Sequence, residues 1–295
     1  MQFLRRNGIY VCLALLALVS LVVWLQLFSA PKPGQLEVAV LNIGQGDSIY
    51  IKSPTGSEVL IDGGPDTSVL RELSKVMSYG DRTIDAVIAT HPDSDHIGGL
   101  VDVLPRYTVK NFIEPGIPKH TATNDKLESE VSDEHLNRVI ARRGEWLDLG
   151  GGATLDILFP DFDVAPLGEP NANDNEGCIV ARLVYKNTSA IFTCDAPQDV
   201  EDHLISISDE QSTSTTLKSD LYKVGHHGSK YSSSNEFLDA IAPTFAAISV
   251  GAHNRYGHPT QEALDHLASH AIQTDRTDLE GTLIYISDGE KFIKK

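Results

Sequence analysis

Short apolar runs separated by Gly- and Pro-containing turns dominate the chain from Leu36 onward. The first three, LEVAVLNIG, SIYIKSP and EVLIDGG, have the length and β-branched content of strands. The run IDAVIATH is apolar throughout, which is typical of a strand buried on both faces of a parallel or mixed sheet. Helical spacing predicts helices at about 69–79, in HIGGLVDVLPRY and in SDEHLNRVIARRG, with the strand VKNFIEPG between the last two.

The second half has the same texture. Six further runs predict strands: ATLDILFP, CIVARLVY, SAIFTCD, LYKVGHH, FAAISVG and GTLIYISD. Helices are expected after Pro197, at 235–241 and at 260–271, and SISDEQSTSTTLKSD is expected to be a polar loop. Because neither an internal repeat nor a break in composition occurs, residues 36–295 are predicted to form one α/β domain built on two sheets.

The N-terminal segment has a different pattern. Ile9 to Phe28 contains no charged residue and is long enough to cross a bilayer core of about 30 Å as a helix. Phe28 stands where a signal peptidase would require a small residue, so an uncleaved anchor is favoured over a cleaved signal. Arg5 and Arg6 precede the run, which predicts a cytoplasmic N-terminus, a single membrane crossing and a domain outside the cytoplasmic membrane. The predicted organisation is an anchor at 1–30, a linker at 31–35 and the domain at 36–295.

Charge argues against one class of protein. Lys and Arg total 24 against 41 for Asp and Glu, a formal charge of −17, which disfavours a broad basic surface that grips nucleic acid nonspecifically. A local basic track is still open, and its candidates are Arg142, Arg143, Lys223, Lys230 and Arg255.

Three cysteines are too few for a disulfide scaffold in a chain of this length. Cys12 lies in the predicted anchor. Cys178 and Cys194 flank an expected hairpin and could pair if both faced one side, but two unpaired core cysteines are favoured.

Imidazoles and carboxylates gather at the ends of predicted strands. One such strand end can simply meet solvent, but four in one chain indicate a site. The residues are Asp62, then His91, Asp93, Asp95 and His96, then Asp195, and finally His226 and His227.

These side chains are ligands for divalent transition metals. Two ions about 3.5–4 Å apart can activate a water and polarise a phosphoryl or carbonyl oxygen. A nucleophilic triad fits worse, because no Ser or Cys lies in a Gly-x-Ser-x-Gly turn and Ser94 is flanked by acids.

The segment THPDSDHIGG resembles the metal signature of the metallo-β-lactamase superfamily. Three others, LNIGQGDSIYIKSPTGSEVLIDGG, KVGHHGSKYSSS and SVGAHNRYGHP, resemble the hydrolase-like domain of ComEC-type DNA-uptake proteins, and the likeness runs from about Leu36 to Ile286. It implies an αββα sandwich, two mixed sheets flanked by helices, with two divalent ions, Zn²⁺ or Mn²⁺, at one edge.

The resemblance also implies a role for each ligand. His91 and Asp93 would hold the first ion, Asp95 and His96 the second, and Asp195 would bridge both. The pair His226 and His227 would complete the second site, with the choice between them left open. Asp62 would orient a ligand imidazole.

Three departures from the superfamily pattern stand out. Asp93 replaces a histidine, and no histidine near NANDNEGCIV supplies the first ion's third imidazole, so that site is expected to be weaker and to favour a harder ion such as Mn²⁺. Cys194 stands where the family has a glycine, before Asp195.

Polar residues around the centre have two interpretations. Ser229, Lys230, Asn254 and Arg255 could hold phosphate oxygens, with Asp95 acting in catalysis and His258 protonating a leaving oxygen. Alternatively they only shape turns. A bracing role is favoured for Asp47, in a tight turn.

The favoured function is a membrane-anchored, metal-dependent hydrolase of phosphodiesters, with single-stranded DNA as a possible substrate and a DNA-uptake channel as a possible partner. One alternative is hydrolysis of β-lactams or other acyl compounds, which fold analogy alone supports weakly. The other is a non-catalytic module that docks onto an uptake channel.

Overall fold

Strands of the described residues, 2–29, 34–210 and 217–295 of the computed structural model, form two mixed sheets that pack face to face. In chain order they are β1 (Leu36–Val40), β2 (Ile49–Lys52), β3 (Glu58–Ile61), β4 (Thr83–Ile88), β5 (Thr108–Glu114), β6 (Asn137–Ile140), β7 (Trp146–Gly150), β8 (Ala153–Phe159), β9 (Val180–Tyr185), β10 (Thr188–Phe192), β11 (Leu221–Lys223), β12 (Phe245–Ile248), β13 (Gln273–Arg276), β14 (Leu283–Ser287) and β15 (Phe292–Lys294).

The first sheet has the spatial order β15-β14-β1-β2-β3-β4-β5-β6, and the second has the order β13-β12-β11-β10-β9-β8-β7. Both are mixed: β3 to β6 run parallel in one, and β10 to β13 run parallel in the other. Apolar side chains from the inner faces of both sheets, such as Val38, Ile61, Leu155 and Phe192, form the central core. The predicted two-sheet α/β architecture is confirmed.

The described residues also form helices. They are α1 (Gln2–Ser29), α2 (Ser68–Val76), α3 (Ser94–Ile97), α4 (Leu100–Val103), α5 (Ala122–Asp133), α6 (Gln198–Glu210), α7 (Asn235–Ile241), α8 (Gln261–Ser269) and α9 (Thr277–Glu280), with 3₁₀ turns at Leu104–Arg106, Ala165–Gly168, Asp174–Gly177 and Gly225–Gly228. Buried residues of α2, α4 and α5 pack on the first sheet, and those of α6, α7 and α8 pack on the second.

Residues 1–32 form a unit of their own, which contains α1. The side chains of residues 22–28 are outside the described part, so the predicted span at 9–28 lies partly outside it. Within the part that is described, no helix combines the length and the apolarity that crossing a membrane requires.

The helix predicted in SDEHLNRVIARRG is wrong. Helix α5 begins before this segment and ends at Asp133, near the start of it. Its N-terminus is capped by the Thr121 side chain, which accepts a hydrogen bond from Asn124 N. The following residues form β6, which pairs in parallel with β5. Tertiary pairing overrides the local helical spacing here, because β5 offers an open edge to the chain as it leaves α5.

The polar loop predicted from SISDEQSTSTTLKSD begins later than expected. Helix α6 continues to Glu210, and residues 211–216 lie outside the described part of the chain. The hairpin expected between the second-half strands is present: β9 and β10 pair from Tyr185 and Thr188, which leaves Lys186 and Asn187 as its turn.

Parallel pairing places the polar strand ends together. The strands β3 and β4 are parallel neighbours in one sheet, as β10 and β11 are in the other. Their carboxyl ends therefore share an edge of each sheet, and the predicted ligands follow them directly.

Candidate metal centre

The predicted ligands converge where the two sheets meet at one edge. His91 follows β4, His96 lies on α3, Asp195 follows β10 and His227 follows β11. All four are buried. Ligand atoms of His91, His96 and Asp195 lie within 4.8 Å of one another, as do those of Asp95, His96 and His227. The two groups share His96, so the geometry is that of two adjoining sites.

Asp62 fixes the orientation of His96. Its Oδ2 lies 2.8 Å from Nδ1 of His96 and accepts a 2.7 Å hydrogen bond from the Thr90 hydroxyl, while Oδ1 accepts one from Thr90 N at 2.8 Å. These contacts leave Nε2 of His96 directed at Asp195, with 3.3 Å between Nε2 and Oδ1. The role predicted for Asp62 matches this geometry.

Asp47 occupies the equivalent place behind His227. Its Oδ1 lies 3.2 Å from Nδ1 of His227, whose hydrogen-bond partner is the Ser249 carbonyl oxygen at 3.1 Å, and its Oδ2 accepts a 2.7 Å hydrogen bond from Lys223 Nζ. Nε2 of His227 then points between Asp95 and Asp195, 3.5 Å from an oxygen of each. Lys223 is only 1% exposed, so its predicted place in a basic track is wrong; it neutralises Asp47 inside the protein.

The first site is less complete. Nε2 of His91 lies 3.7 Å from Oδ2 of Asp93, whose other oxygen lies 2.9 Å from Lys119 Nζ. Asp93 is also the half-exposed residue that precedes α3. Lys119 in turn contacts the buried Asp174. Asp174 lies in the segment NANDNEGCIV, which has no histidine to serve as the first ion's third imidazole ligand.

Several buried polar atoms of the centre have no hydrogen-bond partner within the described structure. Leaving such atoms unpaired is costly, since each loses its hydration without a replacement. Divalent ions bind imidazole nitrogens and carboxylate oxygens of this kind, so the residues fit the metals that the resemblance implies. The atoms are Nε2 of His91, His96 and His227, Oδ1 of Asp195 and Oδ1 of Asp47.

The electrostatics of the centre keep its carboxylates ionised. Burial opposes ionisation of Asp195, but His227 and His96 outweigh it and hold the pKa of Asp195 well below its ordinary value. Burial alone would lower the pKa of His227, but the charges of Asp195 and Asp47 outweigh it and raise that pKa to about 9. Each imidazole thus carries strong carboxylate contacts, which is the arrangement that attracts a cation.

His226 and His227 differ although they are adjacent. The side chain of His226 is 30% exposed, with Nε2 3.6 Å from Oδ2 of Asp195, whereas that of His227 is 2% exposed. His227 therefore has the geometry of a ligand, and His226 lies at the mouth of the centre. Both have left-handed backbone conformations, with φ of 47° and 55°.

His258 stands next to His226, with ring centroids 5.7 Å apart. Burial, followed by His226 and His227, lowers the pKa of His258 to about 4. At neutral pH its imidazole is uncharged, which opposes the predicted role of protonating a leaving oxygen. An uncharged imidazole can still donate a hydrogen bond through its N–H. The Tyr256 ring stacks on it at 5.8 Å.

Two exposed cation–aromatic pairs lie on the loops that follow β11 and β12. Arg255 lies over the ring of Tyr256 at 5.1 Å, and Lys230 lies over that of Tyr231 at 5.0 Å. Both tyrosines are more than half exposed. These cations and rings are open to a substrate.

The other two predicted substrate contacts have roles inside their loops. Ser229 is buried and its hydroxyl accepts a hydrogen bond from Tyr231 N. The Asn254 amide donates to the carbonyls of Gly251 and His258, and its oxygen accepts from His258 N. For both residues the turn-forming interpretation fits the contacts better than substrate binding.

A disulfide joins Cys178 to Cys194, so the expectation of unpaired cysteines is wrong. The two residues flank the β9–β10 hairpin, just beyond its last paired residues, Ala181 and Phe192. Cys194 has φ of 42°, the left-handed conformation for which a glycine is usual. The bond therefore holds the turn that presents Asp195.

Sequence reasoning missed Lys119 and Asp174, and assigned Lys223 to the wrong place. No spacing rule links Lys119 to Asp93, because the two are 26 positions apart and meet only through the fold. An isolated lysine in an acidic chain carries no signal of burial.

Comparisons with known proteins agree with this geometry. Residues 41–253 match the model of the metallo-β-lactamase superfamily. Among curated proteins, ComE operon protein 3 of Bacillus subtilis is 33% identical over 268 residues, 84% of this chain and 33% of the relative. Competence protein ComA of Neisseria gonorrhoeae is 29% identical over 83% of this chain and 31% of its own length. The chain thus spans about a third of the length of these relatives.

Solved structures share the fold at low sequence identity. CmlA, a diiron β-hydroxylase from Streptomyces venezuelae, superposes with a TM-score of 0.55 at 14% identity, covering 90% of this chain and 55% of CmlA. Igni18, a metallo hydrolase from Ignicoccus hospitalis, gives 0.51 at 11% identity, covering 84% and 98%. With a family match over most of the domain and a matching fold, the chain belongs to the metallo-β-lactamase superfamily of metal-dependent hydrolases and is related to competence proteins.

Proposed function

We propose that this protein is a two-metal phosphodiesterase that cleaves single-stranded DNA during DNA uptake. The observation that carries the proposal is the set of unpartnered ligand atoms, on His91, His96, Asp195 and His227, directed at a common centre. The relationship to competence proteins supports DNA as the substrate class.

The surroundings of the centre suit a single strand. Exposed aromatic rings provide stacking surfaces for bases, and nearby cations meet the backbone phosphates. The pairs Arg255–Tyr256 and Lys230–Tyr231 combine both features: the second follows His227, and the first adjoins His258. The hydrogen bond to the Tyr256 hydroxyl, and to a smaller extent the charge of Asp95, raise the pKa of the exposed Arg255, so it stays positively charged. This local arrangement offsets the acidic net charge where a strand would bind.

Each residue around the centre has a defined task in this proposal. Bound divalent ions supply a water of lowered pKa and polarise a phosphoryl oxygen. Asp62 and Asp47 hold the imidazoles of His96 and His227 in the orientation that binds an ion. The uncharged His258 donates a hydrogen bond to an oxygen of the substrate, and Arg255 holds the phosphate.

A location outside the cytoplasm is part of the proposal, with the N-terminal segment as the membrane anchor. Its support is the uncharged sequence from Ile9 to Phe28, which lies within α1, and the disulfide between Cys178 and Cys194. Disulfides persist in oxidising compartments and are rare in the cytosol. Fusing alkaline phosphatase to the C-terminus tests this location: an inactive fusion that is present in the cell would refute it.

The deciding experiment is an assay of the full chain, purified in detergent with Mn²⁺, on labelled single-stranded DNA, on bis-p-nitrophenyl phosphate and on a chromogenic β-lactam. Asp195→Asn is expected to lose activity on DNA by at least about 1000-fold, as losing a central electrostatic group does. Asp239→Asn, which changes a 79% exposed carboxylate on α7, is the matched control and should retain it.

The pattern of substrates separates the alternatives. Hydrolysis of the β-lactam alone would replace the proposal with acyl hydrolysis. A protein that holds two ions and cleaves none of the three substrates would refute a hydrolytic function on these compound classes and favour a docking role.

A further inference from the structure

The ammonium of Lys119 lies between two carboxylates at the first metal site. Its Nζ is 2.9 Å from Oδ1 of Asp93 and also forms an ion pair with Oδ2 of Asp174. The Asp174 side chain is 9% exposed and that of Lys119 is 30% exposed. One positive charge thus brings together two acids that are far apart in sequence.

The backbone around Lys119 is firmly placed. The Asn124 amide donates a 2.7 Å hydrogen bond to the carbonyl of Lys119. A Cβ at Gly168 would lie 2.0 Å from the carbonyl oxygen of Pro118, so the loop of Lys119 and that of Gly168 are in close contact. The fold therefore fixes the backbone from which the Lys119 side chain extends, while the side chain itself can still move.

Asp174 is held from the other side. Ile179, which follows the Asp174–Gly177 turn, donates its N–H to the Thr90 carbonyl at 3.0 Å. Between them, Cys178 is bonded to Cys194, the residue before Asp195. These two links attach the Asp174 turn directly to the chain segments that carry His91 and Asp195.

An unpartnered ligand atom lies near one of these acids, Asp93. His91 is 1% exposed, and its Nε2 lacks a hydrogen-bond partner within the described structure while lying 3.7 Å from Oδ2 of Asp93. The site thus offers an imidazole nitrogen and carboxylate oxygens, with the ammonium already beside those carboxylates.

We propose that Lys119 and the first divalent ion compete for Asp93 and Asp174, and that Asp174 supplies the first ion's ligand in place of the missing imidazole. Entry of the ion requires the ammonium to leave, and the partly exposed stem of Lys119 allows it to turn toward solvent. The two metal sites consequently differ in affinity, because only the first must break an ion pair before it fills. A carboxylate-rich first site selects a hard ion such as Mn²⁺.

This inference rests on the proposed two-metal centre, and its test is metal binding rather than turnover. Mn²⁺ is titrated into the metal-free full chain by calorimetry, and bound metal is counted by mass spectrometry after gel filtration. The wild type is expected to show one tight and one weak event. Lys119→Met should tighten the weak event at least tenfold and change the tight one less than twofold.

Two variants provide matched controls. Lys119→Arg keeps the charge and should resemble the wild type. Lys110→Met removes a lysine from the neighbouring strand β5 that pairs with Asp85 away from the centre, and it should also leave both events unchanged. Adding Asp174→Asn to Lys119→Met should weaken the first-site event again by at least tenfold.

Each outcome decides a different point. Two binding events that Lys119→Met leaves unchanged or weakens would overturn the competition. A double variant as tight as Lys119→Met would overturn the role of Asp174 as a ligand. Absence of binding in the wild type and in every variant would instead overturn the metal centre. If Lys119→Met fails a thermal-unfolding check, Lys119→Gln takes its place with the same expectation.

Discussion

Lys223 Nζ lies 2.7 Å from Oδ2 of Asp47, and each side chain is at most 2% exposed. A buried ion pair adds little net stability over an apolar pair, but removing one partner leaves the other charge without compensation. Asp47 also contacts Nδ1 of His227, so the pair connects the interior of the second sheet to the metal centre.

Lys223→Met is therefore expected to lower the free energy of unfolding by about 3–5 kcal/mol, measured by urea denaturation. Lys110→Met breaks the half-exposed pair with Asp85 and is the matched control, for which a loss of at most about 1 kcal/mol is expected. Equal losses in the two variants would show that the Lys223–Asp47 pair has no special importance.

His226 and His227 give a test in which adjacent residues should behave differently. His227→Ala removes the buried imidazole and is expected to weaken Mn²⁺ binding by more than the roughly 10- to 100-fold that losing an orienting partner causes. His226→Ala should retain both ions and lower kcat, because that ring lies at the mouth of the centre. Calorimetric titration measures Mn²⁺ binding, and the kinetics of DNA cleavage measure kcat. Loss of metal in His226→Ala alone would reverse the assignment.

Glu201 makes stability depend on pH. Burial raises its pKa to about 7, although Ser233 N and Ser234 N donate hydrogen bonds to the carboxylate. Between the ordinary value of 4.5 and about 7, the folded protein keeps a proton that the unfolded chain releases. Stability contributed by this group is therefore present below pH 4.5 and is lost as the pH rises to about 7.

The loss across that window is on the order of 2–3 kcal/mol for a shift of this size. Glu201→Gln should remove it, so the difference in unfolding free energy between pH 4.5 and pH 7 should shrink relative to the wild type. Glu134→Gln, which changes an exposed carboxylate at the end of α5, should leave the wild-type profile in place. Identical profiles for the wild type and Glu201→Gln would contradict the raised pKa.

The disulfide predicts a linked loss of stability and metal affinity. Replacing both Cys178 and Cys194 with serine opens a loop with a sequence separation of 16 residues. Loops of this size account for about 3 kcal/mol in the chain-entropy model. Mn²⁺ affinity should fall as well, since the turn before Asp195 loses its tie. Cys12→Ser, which changes the free cysteine, is the control and should alter neither quantity in the domain. Unchanged metal affinity in the double variant would separate the disulfide from the centre.

The strands and the residues that follow them could be predicted from the sequence, because an apolar run that ends in an acid or an imidazole is a local pattern. His91, His96 and Asp195 could be found this way, and so could Asp62. What failed depended on distant contacts. LNRVI has helical spacing, yet the open edge of β5 makes it a strand. Lys119 and Asp174 meet only after three segments have packed, so no local pattern marks them.

Asp62, Cys194, His226 and His227 all have left-handed backbone conformations, and all belong to the metal centre or adjoin it. For residues with a Cβ this conformation costs roughly 1–2 kcal/mol each, and glycine would avoid it. Yet glycine would delete the carboxylate, the sulfur or the imidazole that the position supplies. Stabilising substitutions by glycine are thus excluded at these four positions, and gains in thermal stability must come from other positions of the domain.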